Sequence, residues 1–147
     1  MRCTKGLILL ACVGGVGFPA GCSRNLPLPP GAGPIVPVDG RVLLGDQPLK
    51  GGIVRFHPFD FSEENCLTQG QIDTQGRYAL SCYHPYREKG APSGKYRVTV
   101  DPSSDEARQD GMVQGQYKDP AKTPLIVTVE ANAPAGTYDL KLEVKKR

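Results

Sequence analysis

Apolar side chains recur at every second position over most of the chain from residue 36 onward, and turn-forming residues interrupt them at short intervals. This alternation is typical of strands with one buried face. Eighteen glycines and fourteen prolines, with no long stretch of 3.6-residue period, argue against a helical protein. The pattern therefore predicts an all-β fold. The inward side chains are expected within residues 36–44, 54–56, 96–100, 125–129 and 138–144.

The clearest predicted hairpin surrounds the turn at residues 73–76, where Gly76 can supply a positive φ. If Ile72 lies opposite Gly76, the same register places Cys66 opposite Cys82, and both cysteines face inward. We expect a disulfide between them, which would stabilise the fold by roughly 3 kcal/mol. Two buried free thiols are the alternative.

The first 22 residues are typical of a bacterial export signal. Arg2 and Lys5 make a basic start, and an apolar run follows over residues 6–18. That run is shorter than the about 20 residues of a membrane-spanning helix, so we expect a signal and not a permanent transmembrane anchor. The small pair Ala20-Gly21 before Cys22 resembles the bacterial lipoprotein signal, in which the cysteine is acylated and becomes the first mature residue.

Lipidation at Cys22 has an alternative. Pro19 stands where the lipoprotein pattern prefers leucine, and an ordinary secreted protein would be cut nearby or between small residues at 15–17. Cys12 follows a better-matching tetrapeptide, but the apolar run before it is too short. Ser23 directly after Cys22 resembles the outer-membrane sorting preference of some Gram-negative lipoproteins.

This interpretation divides the chain into three parts. They are a signal peptide over 1–21, a lipidated N-terminus with a Pro/Gly-rich linker over 22–37, and a β-sandwich domain over 38–147. The linker composition favours extended polyproline conformation and a spacer role, and a disordered segment without that role is the alternative. Without the two basic residues of the signal, 16 of the 18 Lys and Arg remain against 15 Asp and Glu. This balance argues against nucleic acid as a partner.

Short motifs of glycine, proline and apolar residues follow one another in a fixed order. They are Val38-x-Gly40-x-Val42, Gln47-Pro48-Leu49-x-Gly51-Gly52-x-Val54-x-Phe56-x-Pro58, Asp73-x-x-Gly76-x-Tyr78-x-Leu80 and Gly90-Ala91-Pro92-x-Gly94-x-Tyr96-x-Val98-x-Val100. Over about residues 36–144 this order resembles the carboxypeptidase-regulatory-like domains of short bacterial lipoproteins. The resemblance implies a seven- or eight-stranded antiparallel sandwich with the Greek-key topology of prealbumin (transthyretin). It carries over no catalytic residue, because most matched residues are glycines, prolines and apolar core residues. Such domains more often accompany an activity than perform one.

No motif predicts a catalytic or metal site. His57 and His84 are the only histidines, and with the nearby tyrosines they lack the ligand spacing of a dioxygenase iron site. The acidic residues within 101–110 lack the spacing of a calcium loop, and no serine stands in a nucleophile motif. We therefore expect no enzymatic activity, no cofactor and no metal.

Aromatic residues near predicted strand ends are the candidate contacts for a ligand. Phe59, Phe61, Tyr83 and Tyr86 can offer ring faces to a sugar or to a partner protein, and the alternative is that the tyrosines cap one end of the sandwich. The contact loops expected from the pattern are residues 57–67, 83–94 and 102–123.

The sequence thus predicts a non-enzymatic lipoprotein of the bacterial cell envelope, with the outer membrane favoured. Its N-terminal lipid would bind the membrane, and its extracytoplasmic domain would contact an envelope protein or a polysaccharide. A carbohydrate-binding module that uses the loop aromatics, and a secreted domain without a lipid anchor, are the alternatives.

Overall fold

The computed structural model describes residues 28, 30–60, 66–84, 86–103 and 112–145. In these ranges the chain forms twelve strands, one 3₁₀ helix and no α-helix. No helix there is long and apolar enough to span a bilayer. The strands are β1 Ile35–Val36, β2 Asp39–Leu44, β3 Gln47–Pro48, β4 Gly52–Pro58, β5 Leu67–Ile72, β6 Arg77–Ala79, β7 Ser81–His84, β8 Tyr86–Lys89, β9 Ala91–Pro92, β10 Gly94–Pro102, β11 Ile126–Val129 and β12 Leu140–Leu142; the 3₁₀ helix is Gly115–Lys118.

The strands form a sandwich of one large and one smaller layer. The large sheet has six antiparallel strands in the order β11-β10-β4-β5-β7-β8. The smaller layer has the order β12-β2-β3, with β6 also pairing with β2, and β1 pairs with β9 in a short two-stranded sheet. The predicted all-β sandwich is confirmed, and the Greek-key topology that the resemblance implies stays a prediction.

Two details differ from the expected seven or eight antiparallel strands. The chain divides into more segments, because β1, β3 and β9 are pairings of only two residues each, and Pro48 and Pro92 lie in two of them. Proline has no N–H to donate to a neighbouring strand, so it confines pairing to short edge segments. In addition, β12 pairs with β2 in parallel, with Leu140 opposite Val42.

The core lies between the two layers, and most of its side chains come from the predicted inward positions. Phe56 of the large sheet is at its centre, with ring centroids 5.6 Å from Tyr96 and 6.4 Å from Tyr78 of the smaller layer. All three rings are buried. Burial of apolar area of this kind is the main force that holds two sheets together.

The predicted turn at residues 73–76 is present, and the register beyond it differs from the prediction. Gly76 has a φ of +76° and donates its N–H to the carbonyl of Asp73 at 3.0 Å. The returning chain first pairs with β2 through β6 and changes sheet at Leu80, so β5 pairs with β7 instead. Thr68, and not Cys66, therefore lies opposite Cys82.

The predicted disulfide is confirmed in spite of this shift. Cys66 and Cys82 are bonded, their Cα atoms are 5.5 Å apart, and both are fully buried. A shift of two residues leaves every side chain on the same face of a strand, so the two cysteines stay on one side of the sheet. The bond ties β7 to the chain just before β5.

The segment assigned to the linker contributes to the fold at its end. Ile35 and Val36 of β1 pair with Pro92 and Ala91 of β9. The folded region of the chain therefore begins ahead of residue 38.

Candidate functional site

The outer side of the six-stranded sheet carries the candidate site, and we call it the open face. Its residues are the outward positions of each strand, alternating with core positions. They are Ile126 and Thr128 on β11; Lys95, Arg97, Thr99 and Asp101 on β10; Ile53, Arg55 and His57 on β4; Leu67, Gln69 and Gln71 on β5; Ser81 and Tyr83 on β7; Arg87 and Lys89 on β8; and Phe59 just beyond β4.

The strand register arranges these side chains in rows across the sheet. One row is continuous through five strands, from Thr99 through Arg55, Gln69 and Ser81 to Lys89. Thr99 and Ser81 are buried. Arg55, Gln69 and Lys89 are accessible, and adjacent strands are about 4.8 Å apart, so neighbouring side chains such as Arg55 and Gln69 can contact one ligand together.

A second row holds apolar and aromatic side chains between two arginines. Arg97 lies opposite Ile126 on one side and His57 on the other. Further along the sheet, Tyr83 lies opposite both Leu67 and Arg87. Ile126, Leu67 and Tyr83 keep 55%, 39% and 40% of their surface exposed.

Phe59 lies at one edge of the open face, next to two cations. Its backbone N–H donates to the carbonyl of Lys95 at 3.0 Å and so continues the pairing of β4 with β10. The guanidinium carbon of Arg97 is 4.7 Å from the ring centroid, and the Lys95 Nζ atom is 5.5 Å from it. Cation–π attraction at these distances orients the ring while 42% of the residue stays exposed.

Tyr83 is the second aromatic residue of the open face. The guanidinium carbon of Arg87 is 5.4 Å from its ring centroid. Both residues line a shallow depression of about 310 Å³ whose other walls come from β4 and β5 and include Gln69 and Gln71. The depression thus combines a ring, a guanidinium and two amides, which can stack on a ligand and exchange hydrogen bonds with it.

Hydrogen bonds fix several polar side chains in the middle of the face. The Nε2 atom of His57 is 2.8 Å from the Oγ1 atom of Thr99, and Arg55 donates from Nε to Oε1 of Gln69 at 3.3 Å. These contacts join β4 to β10 and to β5. They hold the polar groups in place before any ligand arrives, which lowers the entropy cost of binding.

The open face is strongly basic. Lys95, Arg97, Arg55, Arg87 and Lys89 are all exposed, and Asp101 is the one carboxylate among the outward-facing residues of its described strands. Ion pairs between described residues join Asp73 to Arg77, Asp119 to Lys122 and Asp46 to Lys141, and none of them includes these five cations. Five positive charges therefore lie together on one side of a protein whose overall charge is nearly balanced.

The structure places two of the predicted contact residues on the same face of the sheet. Phe59 and Tyr83 both lie on the open face, one at each side of it. Tyr86 belongs to β8, where its backbone pairs with His84, and its side chain lies outside the described part. Phe61 and Cys22, the predicted lipidation site, also lie outside the described residues.

One of the predicted contact loops has a different conformation from the one expected. The span 83–94 is mostly strand, because β7 and β8 pair as a hairpin and β9 follows. The prolines, glycines and charges in its sequence are typical of a loop, although β7 and β8 pair regularly. In the span 102–123, residues 104–111 are not described, and the 3₁₀ helix anchors the rest through the buried ring of Tyr117.

No metal cluster is found in the described ranges: no three His, Cys, Asp or Glu side chains converge there. Of the acidic residues weighed as calcium ligands, Asp101 is an exposed strand residue of β10, and the others fall within residues 104–111.

The basic residues of the open face could not be recognised as a group from the sequence. Lys95 and Arg97 do alternate with the inward Tyr96 and Val98, which marks them as outward. The pairing of β10 with β4, which sets Arg97 and Arg55 on one surface, depends on contacts about 40 residues apart in the chain. The sequence feature that could have indicated this face is the recurrence of basic residues at outward strand positions. Only the strand order shows that these positions lie next to one another.

Comparisons with family models, with curated proteins and with solved structures return no match to this chain.

Proposed function

We propose that the protein is a non-enzymatic, lipid-anchored domain of the bacterial cell envelope that binds a protein or a polysaccharide through its open face. In this proposal Cys22 carries the lipid, the linker spans the distance to the membrane, and the sandwich works outside the cytoplasm, with the outer membrane as the favoured site.

The location is supported by two features of the chain. The export signal and Ala20-Gly21-Cys22 resemble those of bacterial lipoproteins. The Cys66–Cys82 disulfide suits an oxidising compartment, where such bonds persist. The motif order shared with carboxypeptidase-regulatory-like domains supports a binding or accessory role over catalysis.

The observation that carries the binding role is the pair of exposed rings on one sheet face. Phe59 and Tyr83 are each oriented by an arginine and each remain about two-fifths exposed. Aromatic residues of this kind give a large contact area at low entropy cost, and they dominate the energy of many interfaces. A ligand that covers the face from Phe59 to Tyr83 would also meet the amides of β5.

The test compares two double variants of the mature protein. In Phe59→Ala/Tyr83→Ala both rings of the open face are removed, and in Met112→Ala/Val144→Ala two side chains of similar exposure are removed elsewhere. Each protein is run on native gels that contain envelope polysaccharide and is cross-linked in isolated envelopes. We expect the first variant to lose retention or its cross-linked product, and the second to keep both.

An equal loss in the two variants would contradict the assignment of the open face. The same conclusion would follow if the aromatic variant kept every contact of the unmodified protein. A thermal unfolding curve of each variant tests whether the fold is intact. We expect little change in the aromatic variant, because both rings are exposed and their removal opens no cavity in the core.

A further inference from the structure

The arrangement of charge on the open face points to a class of ligand. Five exposed cations lie there with one outward carboxylate, whereas the whole mature chain has 16 basic and 15 acidic residues. A surface that concentrates one sign of charge attracts ligands of the opposite sign and speeds their association. Asp73, Asp119 and Asp46 form ion pairs with Arg77, Lys122 and Lys141, none of which belongs to the open face.

The cations form two groups on opposite sides of the sheet: Lys95, Arg97 and Arg55 lie on the neighbouring strands β10 and β4, and Arg87 and Lys89 lie on β8. Arg97 and Arg87 belong to β10 and β8, four strand spacings apart, which is about 19 Å. Arg55 and Lys89 are three spacings apart, which is about 14 Å. Other side chains lie between these cations. His57, Leu67 and Tyr83 lie between Arg97 and Arg87. Gln69 and Ser81 lie between Arg55 and Lys89.

We infer that the open face binds an acidic polysaccharide, meaning a chain of sugars that carries carboxylate or sulfate groups at intervals. This inference rests on the proposed function for its choice of surface and adds the chemistry of the ligand. A polymer that crosses the strands would place anionic groups at the arginines. Its neutral rings and hydroxyls would contact Tyr83, Phe59 and Gln69.

The chemistry of the side chains fits this ligand. A guanidinium binds a carboxylate or sulfate through two parallel N–H donors, which gives both energy and orientation. Amides such as that of Gln69 can donate to and accept from sugar hydroxyls. The exposed rings of Phe59 and Tyr83 offer apolar surface to the C–H groups of the sugars. The cations beside these rings can bind the acidic groups of the polymer.

The spacing of the cations argues against nucleic acid as the ligand. Duplex DNA carries a negative charge about every 1.7 Å along its axis, and proteins that bind it match several phosphates within a short distance. On the open face, two cations on one strand are about 7 Å apart, and about 14 Å or more separates the cations of β8 from those of β4 and β10. This suits a polymer of lower charge density.

The experiment measures dissociation constants of the full mature protein for polymers of defined charge. The probes are polygalacturonate for carboxylate, dextran sulfate for sulfate and neutral dextran as the uncharged control, with duplex DNA and polyglutamate as other polyanions. We expect binding to at least one of the two acidic polysaccharides, no binding to dextran, and weaker binding to DNA and polyglutamate. The affinity should fall as salt is raised, since the contacts are exposed.

Matched variants locate the binding. Arg87→Gln/Arg97→Gln removes two charges from the open face, and Arg41→Gln/Lys141→Gln removes two exposed charges from the outer side of the other layer. We expect the first to weaken binding at least about tenfold, which corresponds to about 1.4 kcal/mol, because two charge-assisted contacts are lost. The second should change it less than about twofold. Arg87→Lys/Arg97→Lys, which keeps the charge, should retain more binding than the glutamine variant.

Several outcomes would overturn the inference. These are binding to neutral dextran as tight as to the acidic polymers, tightest binding to DNA or polyglutamate, an equal loss in the two glutamine variants, or no binding to either acidic polysaccharide. Neutral-sugar or protein binding that is lost in Phe59→Ala/Tyr83→Ala would overturn the ligand class and leave the proposed function standing. If no polysaccharide and no envelope protein is bound through the open face, both fail.

Discussion

At the scale of single residues, two buried tyrosines combine a large apolar ring with a satisfied hydroxyl. Tyr78 donates its hydroxyl to the carbonyl of Tyr138 at 2.6 Å, and Tyr96 donates to the carbonyl of Pro92 at 2.7 Å. Burial raises the pKa of both hydroxyls, and the negative charges of nearby carboxylates, chiefly Asp139, raise that of Tyr78 further. Both groups therefore remain protonated in the folded protein at neutral pH.

The hydroxyl of Tyr78 should contribute measurably to stability. Tyr78→Phe keeps the ring in the core and removes the bond to the carbonyl of Tyr138. We expect the free energy of unfolding in urea to fall by about 1–3 kcal/mol, because a buried acceptor loses its donor. Tyr83→Phe, which removes the hydroxyl of an exposed ring, is the control and should change stability by less than about 0.5 kcal/mol. Equal values for the two variants would contradict this role.

The raised pKa values also predict a loss of stability in alkali. Unfolded tyrosine ionises near its model value of 10.0, whereas folded Tyr78 and Tyr96 keep their protons to higher pH. Above pH 10 the folded state thus binds more protons than the unfolded state, so stability is full below pH 10 and falls as the pH rises. Urea unfolding at pH 9, 10 and 11 should show this fall, and Tyr78→Phe should reduce its slope. A slope that is the same in the variant would contradict the assignment.

The cysteine pair shows what could be predicted at the residue scale. The alternation of inward and outward positions along the strands predicted that Cys66 and Cys82 both face inward, and the two residues are bonded there. The register used for that prediction was wrong by two residues, since Thr68 lies opposite Cys82. A shift of two residues does not change which face of a strand a side chain lies on, because side-chain direction repeats every two residues. The face of a residue is therefore easier to predict than the residue paired with it.

At the scale of elements, the least predictable feature is where the chain changes sheet. After the turn at 73–76 a simple hairpin would return along β5, but Leu80 donates to the carbonyl of Val38 and its own carbonyl accepts from Gly90. These partners are about 42 and 10 residues away in the chain, and no local pattern encodes them. The hairpin of β7 and β8 was missed for a different reason, because its exposed charges resemble a loop.

Close packing at this change of sheet depends on Gly70 of β5. A Cβ atom there would lie 2.5 Å from the carbonyl oxygen of Ala79, a backbone atom that cannot easily move. We expect Gly70→Ala to lower the free energy of unfolding by about 1–3 kcal/mol through overpacking. The control is Gly115→Ala in the 3₁₀ helix, where nothing lies within 4 Å of an added Cβ, and it should change stability by less than about 0.5 kcal/mol. Thermal or urea unfolding of both variants measures the difference, and a tolerated Gly70→Ala would contradict the close approach.

At the scale of the whole molecule, the distribution of charge matters more than its sum. Residues 22–147 contain 16 basic and 15 acidic residues, so their overall charge is nearly neutral. Folding gathers Arg55, Arg97 and Arg87 from three strands onto one face. The aromatic candidates Phe59 and Tyr83 could be chosen from the sequence, but their cationic neighbours required the strand order.

The most direct test of a lipid-anchored, extracytoplasmic domain is the non-reduced intact mass of the protein from its own membrane fraction. We predict a chain that begins at an acylated Cys22 and lacks the two hydrogens of free Cys66 and Cys82. One spectrum reports the cleavage site, the acyl chains and the state of the cysteines together. An unacylated chain would contradict the anchor and favour a secreted binding domain, and a mass with both thiols free would contradict the disulfide and the oxidising location.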